Sequence, residues 1–544
     1  MILLLHMQRA KRGCRLIVAF FILMGIIVPL SKHASAQAPD RQTTIVVAYT
    51  EYEWWLTSWE DNSVLCHVFI DHEGLPSSEE VYDNCGSSIQ IIWESTPPCA
   101  SIIKDNNSDP KFCTGVYLVF IASQPKQKDV VIDLPPSKAY ISLEGCTPEP
   151  PENRCDVLPS LLIQGEEPLP NETITAVHGN IGGLPFDCPS STCSQPLQAT
   201  PIEGIPVEFW VDSSFGDSSE HFTAMVRVVD SGVSESPGSG GWFVDVLSSQ
   251  WLGEPPVSCA MTWNAFPPIG GLPKWLSTPD DNILMASDQA YYYLAGRLIS
   301  QGIVNATECP SGGMLPNGYA DACGLEKARP AVESWQNQFD ASILQVSRDS
   351  DVPAQLMKNL FAQESQFWPG IFKISYEYGL GQMTDMGTDS ILLWNPDFYA
   401  QFCPLILSQE ACDQGYLHLE ANDQSILRGA LALQAKGDCP DCQLGIDLTN
   451  VNFSLTLFAN TLKASCDQVA QIVYNATKES PGALVSYEDL WRLTVANYHA
   501  GPGCVSYAVY NTWASSGILT WEEISSRFTD ACKGVIPYVE KITQ

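Results

Sequence analysis

The chain has 544 residues, enough for roughly three to four domains of about 150 residues each. Hydrophobic residues make up 45% and charged residues 17%, a composition that buries real cores and is at odds with wholesale disorder. Lys and Arg number 28 against 62 Asp and Glu, a net charge of -34, so the surface repels phosphate backbones and argues against nucleic acid or a polybasic membrane mode.

Residues 1–36 read as a cleaved export signal. Arg9, Lys11, Arg12 and Arg15 form a basic start, and an apolar run follows from Leu16 to Leu30. Ala34-Ser35-Ala36 supplies the small-residue cleavage pattern. The rival reading is a membrane anchor, but the run contains Pro29 and falls short of the about 18–20 apolar residues a span needs. Cleavage leaves 23 basic against 62 acidic residues and 18 of the 19 cysteines, with no membrane segment expected in the mature chain. An even cysteine number in an exported chain points to disulfides and a secreted, extracytoplasmic location. Cys146 with Cys155, Cys188 with Cys193 and Cys309 with Cys323 are the pairs that short loops suggest. Cys439-Pro440-Asp441-Cys442 lacks a second CxxC or a His pair at ligand spacing, so no metal site, redox site or cofactor is expected there.

Residues 40–145 read as a β-rich domain. Thr43–Tyr49, Val64–Ile70, Ile89–Trp93, Val116–Ile121 and Val130–Leu134 are short runs rich in β-branched and aromatic residues. Trp54, Trp55, Trp59 and Trp93 offer a candidate carbohydrate platform, against the plainer reading of core residues. The Pro-rich stretch from Cys146 reads as a linker near 150. Residues 150–272 read as a second, β-sandwich-like domain with strands over Glu172–His178, Val207–Val211, Phe222–Val229 and Trp242–Leu247 and a flexible tip over Asp230–Gly241. Its strand spacing resembles the immunoglobulin-like modules of bacterial surface proteins. Residues 280–334 read as a helical linker region, with Ala286, Ala290, Leu294 and Leu298 at helical spacing within Ile283–Ile303. Helical patterns dominate residues 335–544, so the fold class expected is multidomain α and β: an antiparallel sandwich region followed by an all-α domain.

One helix in that last domain carries chemistry. Asp351 suits an N-cap and Pro353 the first turn. Leu356, Leu360 and Glu364 then fall at i, i+4 and i+8, which puts a carboxyl on the apolar stripe. Lost hydration raises its pKa, and the helix C-terminal dipole pushes the same way. A carboxyl still protonated near neutral pH is a general acid; the plain alternative is a boundary Glu paired with Lys or turned to water. Tyr378-Gly379-Leu380-Gly381-Gln382-Met383-Thr384 follows, with glycines that allow close backbone approach and an amide that both donates and accepts. A helix opening at Ser486 should end at Gly501-Pro502-Gly503 and present Tyr498 at its tip for stacking on a sugar face.

Glu364-Ser365, Gly379-Leu380-Gly381-Gln382 and Tyr498-His499-Ala500-Gly501-Pro502-Gly503, in that order, resemble the motifs of the bacterial soluble lytic transglycosylases, which share the goose-type lysozyme fold. Ser425–Leu433 and Ile536–Ile542 resemble two further family segments, and the likeness covers roughly residues 335–542. The chain departs from the pattern at Gly381, where the family has Met, and at His499, where it has Asn.

The resemblance implies a lysozyme-like domain acting on peptidoglycan glycan strands without a cofactor. Glu364 would be the single catalytic acid and base. Ser365, Ser375, Gln382, Met383, Tyr498, His499 and Tyr538 would line the substrate site. The bond cut would be the β-1,4 link from N-acetylmuramic acid to N-acetylglucosamine, with a 1,6-anhydromuramic product. Two alternatives stay open. Glu377 offers the second carboxylate of a hydrolytic muramidase. The altered Gly381 and His499 leave room for a non-catalytic surface protein that only grips glycan.

Overall fold

The computed structural model describes residues 41–544 except 97–112, 149–152, 237–238, 254–257, 286, 288–290, 370–376, 438, 440 and 443. The export signal read at residues 1–36 lies outside the described residues. The N-terminal half is antiparallel β-sheet and the C-terminal half is helical.

The first sheet has the order β2-β1-β3, with β1 at Gln42–Ser58, β2 at Val64–Ile70 and β3 at Val116–Asp133. β1 and β3 pair along their whole length, from Gln42 opposite Asp133 to Ser58 opposite Val116. β2 joins only beside Tyr52–Thr57, so the lower part is a two-stranded ribbon. Water on both of its faces removes the need for an apolar stripe. The runs Val116–Ile121 and Val130–Leu134 are therefore the two ends of one strand, joined by a polar middle. Above the ribbon, Leu56, Val68, Ile70, Val81 and Val116 form a small core. Helices Ser78–Cys85 and Ser87–Glu94 close it, and Cys66–Cys85 staples it. The expected strand Ile89–Trp93 is thus a helix: Ile89 and Trp93 stand one turn apart and pack on that core, while Ile91 and Ile92 face water.

Two further sheets share a second core. One has the order β4-β6-β9 (Lys138–Glu144, Ser160–Glu166, Thr192–Pro196). The other has the order β5-β12-β11-β10-β7-β8 (Arg154–Cys155, Ser239–Leu247, Phe222–Ser236, Ile205–Ser213, Ile174–Ile181, Leu184–Cys188). Alternation along β10 turns Val207, Phe209 and Val211 inward against Ile141, Leu161 and Ile163. β4 pairs with β6 across the Pro-rich stretch, so residues 138–144 join the strands after 150 rather than those before it. Pairing of β11 with β12 runs out to Ser236 opposite Ser239, so most of the expected flexible tip is strand.

A third core runs from Leu247 and Ala260 through to Ile542. It includes Tyr291, Leu294, Leu298 and Val332, so residues 280–334, expected as a linker, are part of the helical core. The expected helix Ile283–Ile303 is shorter: a single turn at Asn282–Leu284, then a helix at Tyr292–Ser300, with Ala286 and Ala290 outside the described residues. The disulfide Cys259–Cys466 and a hydrogen bond from Trp263 Nε1 to the Cys466 carbonyl (3.0 Å) tie the end of the β half to the long helix Leu448–Thr477. The three pairs that short loops suggested are formed, and Cys439 pairs with Cys442. Among the described residues no helix is long and apolar enough to cross a membrane.

Candidate active site

The helix Ala354–Glu364 is built from strong helix formers and starts directly after Pro353. Asp351 is not its cap. It ends the preceding helix, Asp340–Ser350, in the left-handed region at φ 60°. Leu356, Leu360 and Phe361 are fully buried, and Glu364 is the last helical residue, with its side chain 15% exposed. The same helix buries Lys358 completely, and its ammonium pairs with Asp340 at 2.8 Å.

Two segments distant in sequence meet at Glu364, and a third is bound to one of them. From the C-terminal helix Val535–Ile542, the Tyr538 phenol donates to Glu364 Oε1. From the helix Tyr487–Ser516, the His499 ring stacks on Tyr538 with centroids 3.8 Å apart and 13° between planes. His499 Nδ1 lies 4.0 Å from Glu364 Oε1, and its side chain is 41% exposed. Burial pushes the Glu364 carboxyl up to about 7, the negative charge of Glu377 adds to this, and the Tyr538 hydrogen bond opposes it. Burial also raises the Glu377 carboxyl and lowers the His499 imidazole. The Tyr538 phenol is held well above its ordinary value by burial and then by the Glu364 charge, so it stays a donor.

The third segment, residues 378–383, is a tight loop. Tyr378 and Met383 close it with two backbone hydrogen bonds of 2.9 Å. Gly379 has φ +69°, and a Cβ there would press on Ser454 Oγ at 3.0 Å. Gln382 is buried at φ 55°; its Nε2 donates to the Gly379 carbonyl at 2.8 Å, and its Oε1 is buried without a hydrogen-bond partner.

Gly381 explains its own departure from the resembled pattern. A Cβ at this position would lie 2.1 Å from the ring of Phe458. Phe458 fills the space a longer side chain would take. The Tyr498 phenol donates to the Gly381 carbonyl, and its ring meets Phe458 edge-on at 5.3 Å. Tyr498 therefore clamps the loop with the hydroxyl that would otherwise be free. Its helix kinks three residues later at Gly501 (φ 79°) and resumes at Pro502, where an end was expected.

The other expected site residues separate. Ser365 is buried and its hydroxyl donates to the Phe361 carbonyl at 3.2 Å. Met383 is buried in a separate small core with Ile391 and Leu392, its sulfur 3.5 Å from Thr461 Oγ1. Ser375 lies outside the described residues. The four tryptophans do not share a face. Trp54 and Trp93 pack on the small core of the first sheet, while Trp55 points to the opposite face, 5.1 Å from His67. Trp59 stacks on Tyr117 at 3.9 Å. Sequence reasoning missed Phe458, which no motif flags, and Gln366, whose side-chain oxygen accepts from the backbone N–H groups of Tyr293 and Leu294.

Among the described residues no group of three or more His, Cys, Asp or Glu is arranged to hold a metal ion. The arrangement offers one carboxyl that is about half protonated at neutral pH, a phenol donor on its oxygen, and a second carboxylate in electrostatic reach. Such a group transfers a proton to a leaving oxygen and takes one back. Comparison with known protein families, with curated proteins and with solved structures finds no match.

Proposed function

We propose that this chain is an exported, disulfide-bonded enzyme that cleaves peptidoglycan glycan strands as a lytic transglycosylase, with Glu364 as its acid and base. The observation that carries this reading is the buried Glu364, pushed up to about 7 at the end of its helix and gripped by Tyr538. On this reading the helical half is lysozyme-like, the paired sheets of residues 138–247 are an immunoglobulin-like sandwich, and the β half serves positioning.

The protonated Glu364 gives its proton to the glycosidic oxygen between N-acetylmuramic acid and N-acetylglucosamine. The C1–O bond breaks, and the N-acetyl group of the substrate supports the electron-poor centre. The muramic C6 hydroxyl then bonds to C1, and its proton returns to Glu364. The product is a 1,6-anhydromuramic end, and the enzyme is regenerated. Mass spectrometry of products from purified peptidoglycan, with wild type and Glu364→Gln in parallel, tests this. Anhydromuramic products from the wild type alone are expected. Activity retained in Glu364→Gln rules out the assigned acid.

One observation favours a second reading. Glu377 is partly buried, and its charge raises the Glu364 pKa, which makes it the candidate for the second carboxylate of a hydrolase. Reducing-end muramic products, together with a loss in Glu377→Gln as deep as in Glu364→Gln, select that mechanism.

A further inference from the structure

The two residues that follow Glu364-Ser365 both sit in the left-handed region: Gln366 at φ 48° and Phe367 at φ 59°. Neither is a glycine, and consecutive non-glycine residues hold such a conformation only where their surroundings impose it. The surroundings here are specific. Gln366 Oε1 accepts from the backbone N–H groups of Tyr293 (3.0 Å) and Leu294 (3.2 Å). These are the second and third residues of the helix Tyr292–Ser300, whose own N-cap, Tyr291, makes no side-chain cap. Gln366 thus supplies, from 73 residues away, the acceptor that an N-cap Ser or Asp ordinarily gives.

Two further contacts pin the same turn. Trp335 Nε1 donates to the Phe367 carbonyl at 2.9 Å. Arg297, on the capped helix, lies over the Trp368 ring at 4.9 Å, and Trp335 stacks on the same ring with centroids 4.9 Å apart. The side chain of Phe367 is buried against Tyr291, Phe339 and Phe361.

We infer that Gln366 is a positioning residue for the acid: its hydrogen bonds to the helix Tyr292–Ser300 hold the strained turn that aims Glu364 at Tyr538. This rests on Glu364 being the acid. The capped helix comes from the segment that the sequence presents as a linker, so that segment completes the active site rather than leading to it. Release of the turn lets the chain relax to right-handed geometry, and the last helical residue, Glu364, turns with it. A displacement of about 1 Å at an acid costs up to about a hundredfold in rate.

The test uses the full secreted chain with Gln366→Ala and Gln366→Glu. The readouts are kcat and KM on peptidoglycan, and the carboxyl titration of Glu364, followed as the infrared or carbon-13 signal that vanishes in Glu364→Gln. Gln366→Ala should lower kcat by about tenfold or more with KM within about twofold, and lower the Glu364 titration point. Gln366→Glu keeps an acceptor for the same two N–H groups at a helix N-terminus that favours negative charge. It should retain kcat within about threefold and move the titration upward through its added charge. A wild-type kcat and titration in Gln366→Ala overturn the proposal whatever happens to thermal stability, as does a Gln366→Glu variant as deficient as Gln366→Ala. If the wild type cleaves no peptidoglycan, the assigned reaction fails, and the titration still decides the positioning role. If Gln366→Ala does not fold, Trp335→Phe removes the bond to the Phe367 carbonyl and keeps an aromatic ring beside Trp368. A severalfold loss of kcat with a lowered titration is then expected, and unchanged values of both overturn the proposal.

Discussion

Glu364→Gln preserves the shape of the side chain and an acceptor for the Tyr538 phenol, and removes only the ionisable group. In the unfolded chain Glu364 titrates near the ordinary 4.5; in the folded chain it titrates near about 7. Between those values the folded chain binds a proton that the unfolded chain has lost. The contribution of Glu364 to stability is therefore fully present below about pH 4.5 and is lost as pH rises through about 7, where the folded state must ionise a buried carboxyl. Each tenfold change in proton concentration is worth about 1.4 kcal/mol, so the loss reaches about 3 kcal/mol. Glutamine carries no such cost. Urea unfolding of both proteins at pH 4 and pH 8 should show them similar at the lower pH and the variant about 3 kcal/mol more stable at the higher. A stability difference that does not change with pH refutes the burial of an ionising Glu364, and with it the basis for its acid role. The same substitution should abolish glycan cleavage, and the buried carboxyl is held at a cost in stability that builds between about pH 4.5 and about 7.

Three other outcomes follow from the packing. Lys358→Met strands Asp340 without its buried partner and should cost about 3–5 kcal/mol, most of it recovered in Lys358→Met with Asp340→Leu; denaturant midpoints of the three proteins check this. Gly381→Met restores the residue of the resembled pattern but drives a side chain into Phe458, and should destabilise by about 1–3 kcal/mol, with partial rescue by Phe458→Ala. Stability unchanged in Gly381→Met would show that the ring is free to move. Replacing both Cys259 and Cys466 by Ser opens a loop with a sequence separation of 207 and should cost up to about 5 kcal/mol, read as a lowered Tm.

The buried carboxyl of Glu364 was legible because helical spacing alone places it. Leu356 and Leu360 lie on the buried stripe, and Glu364 continues it. Tyr498 and Tyr538 were legible as motif residues, but not in their roles. Nothing local says that one phenol grips Gly381 while the other grips Glu364. Gln366 was illegible because its partners, Tyr293 and Leu294, are distant in sequence and offer only backbone. Among the strands, Ile89–Trp93 misled because Ile89, Ile91 and Trp93 alternate as a strand would, while Ile89 and Trp93 also satisfy a helical turn. Packing on the small core selected the helix. The middle of β3 was missed for the opposite reason: an exposed ribbon needs no apolar period, so Ala122–Asp129 carries no signal that it is strand.

That ribbon makes the part it carries a cassette. Arg41, just before β1, pairs with Glu167 and with Asp217 at 3.1 Å, and its carbonyl accepts from Leu134 just after β3, so both feet stand on the sandwich side by side. Thr50 and Pro125 lie directly opposite one another across the two strands. Everything from 51 to 124, with its own core and its Cys66–Cys85 staple, enters and leaves through that one pair. A two-residue Asn-Gly turn joining Thr50 to Pro125 would close the ribbon into a plain hairpin and leave the register beneath it intact. The module on the end of the ribbon can thus be gained, lost or exchanged with the register of the ribbon beneath it kept.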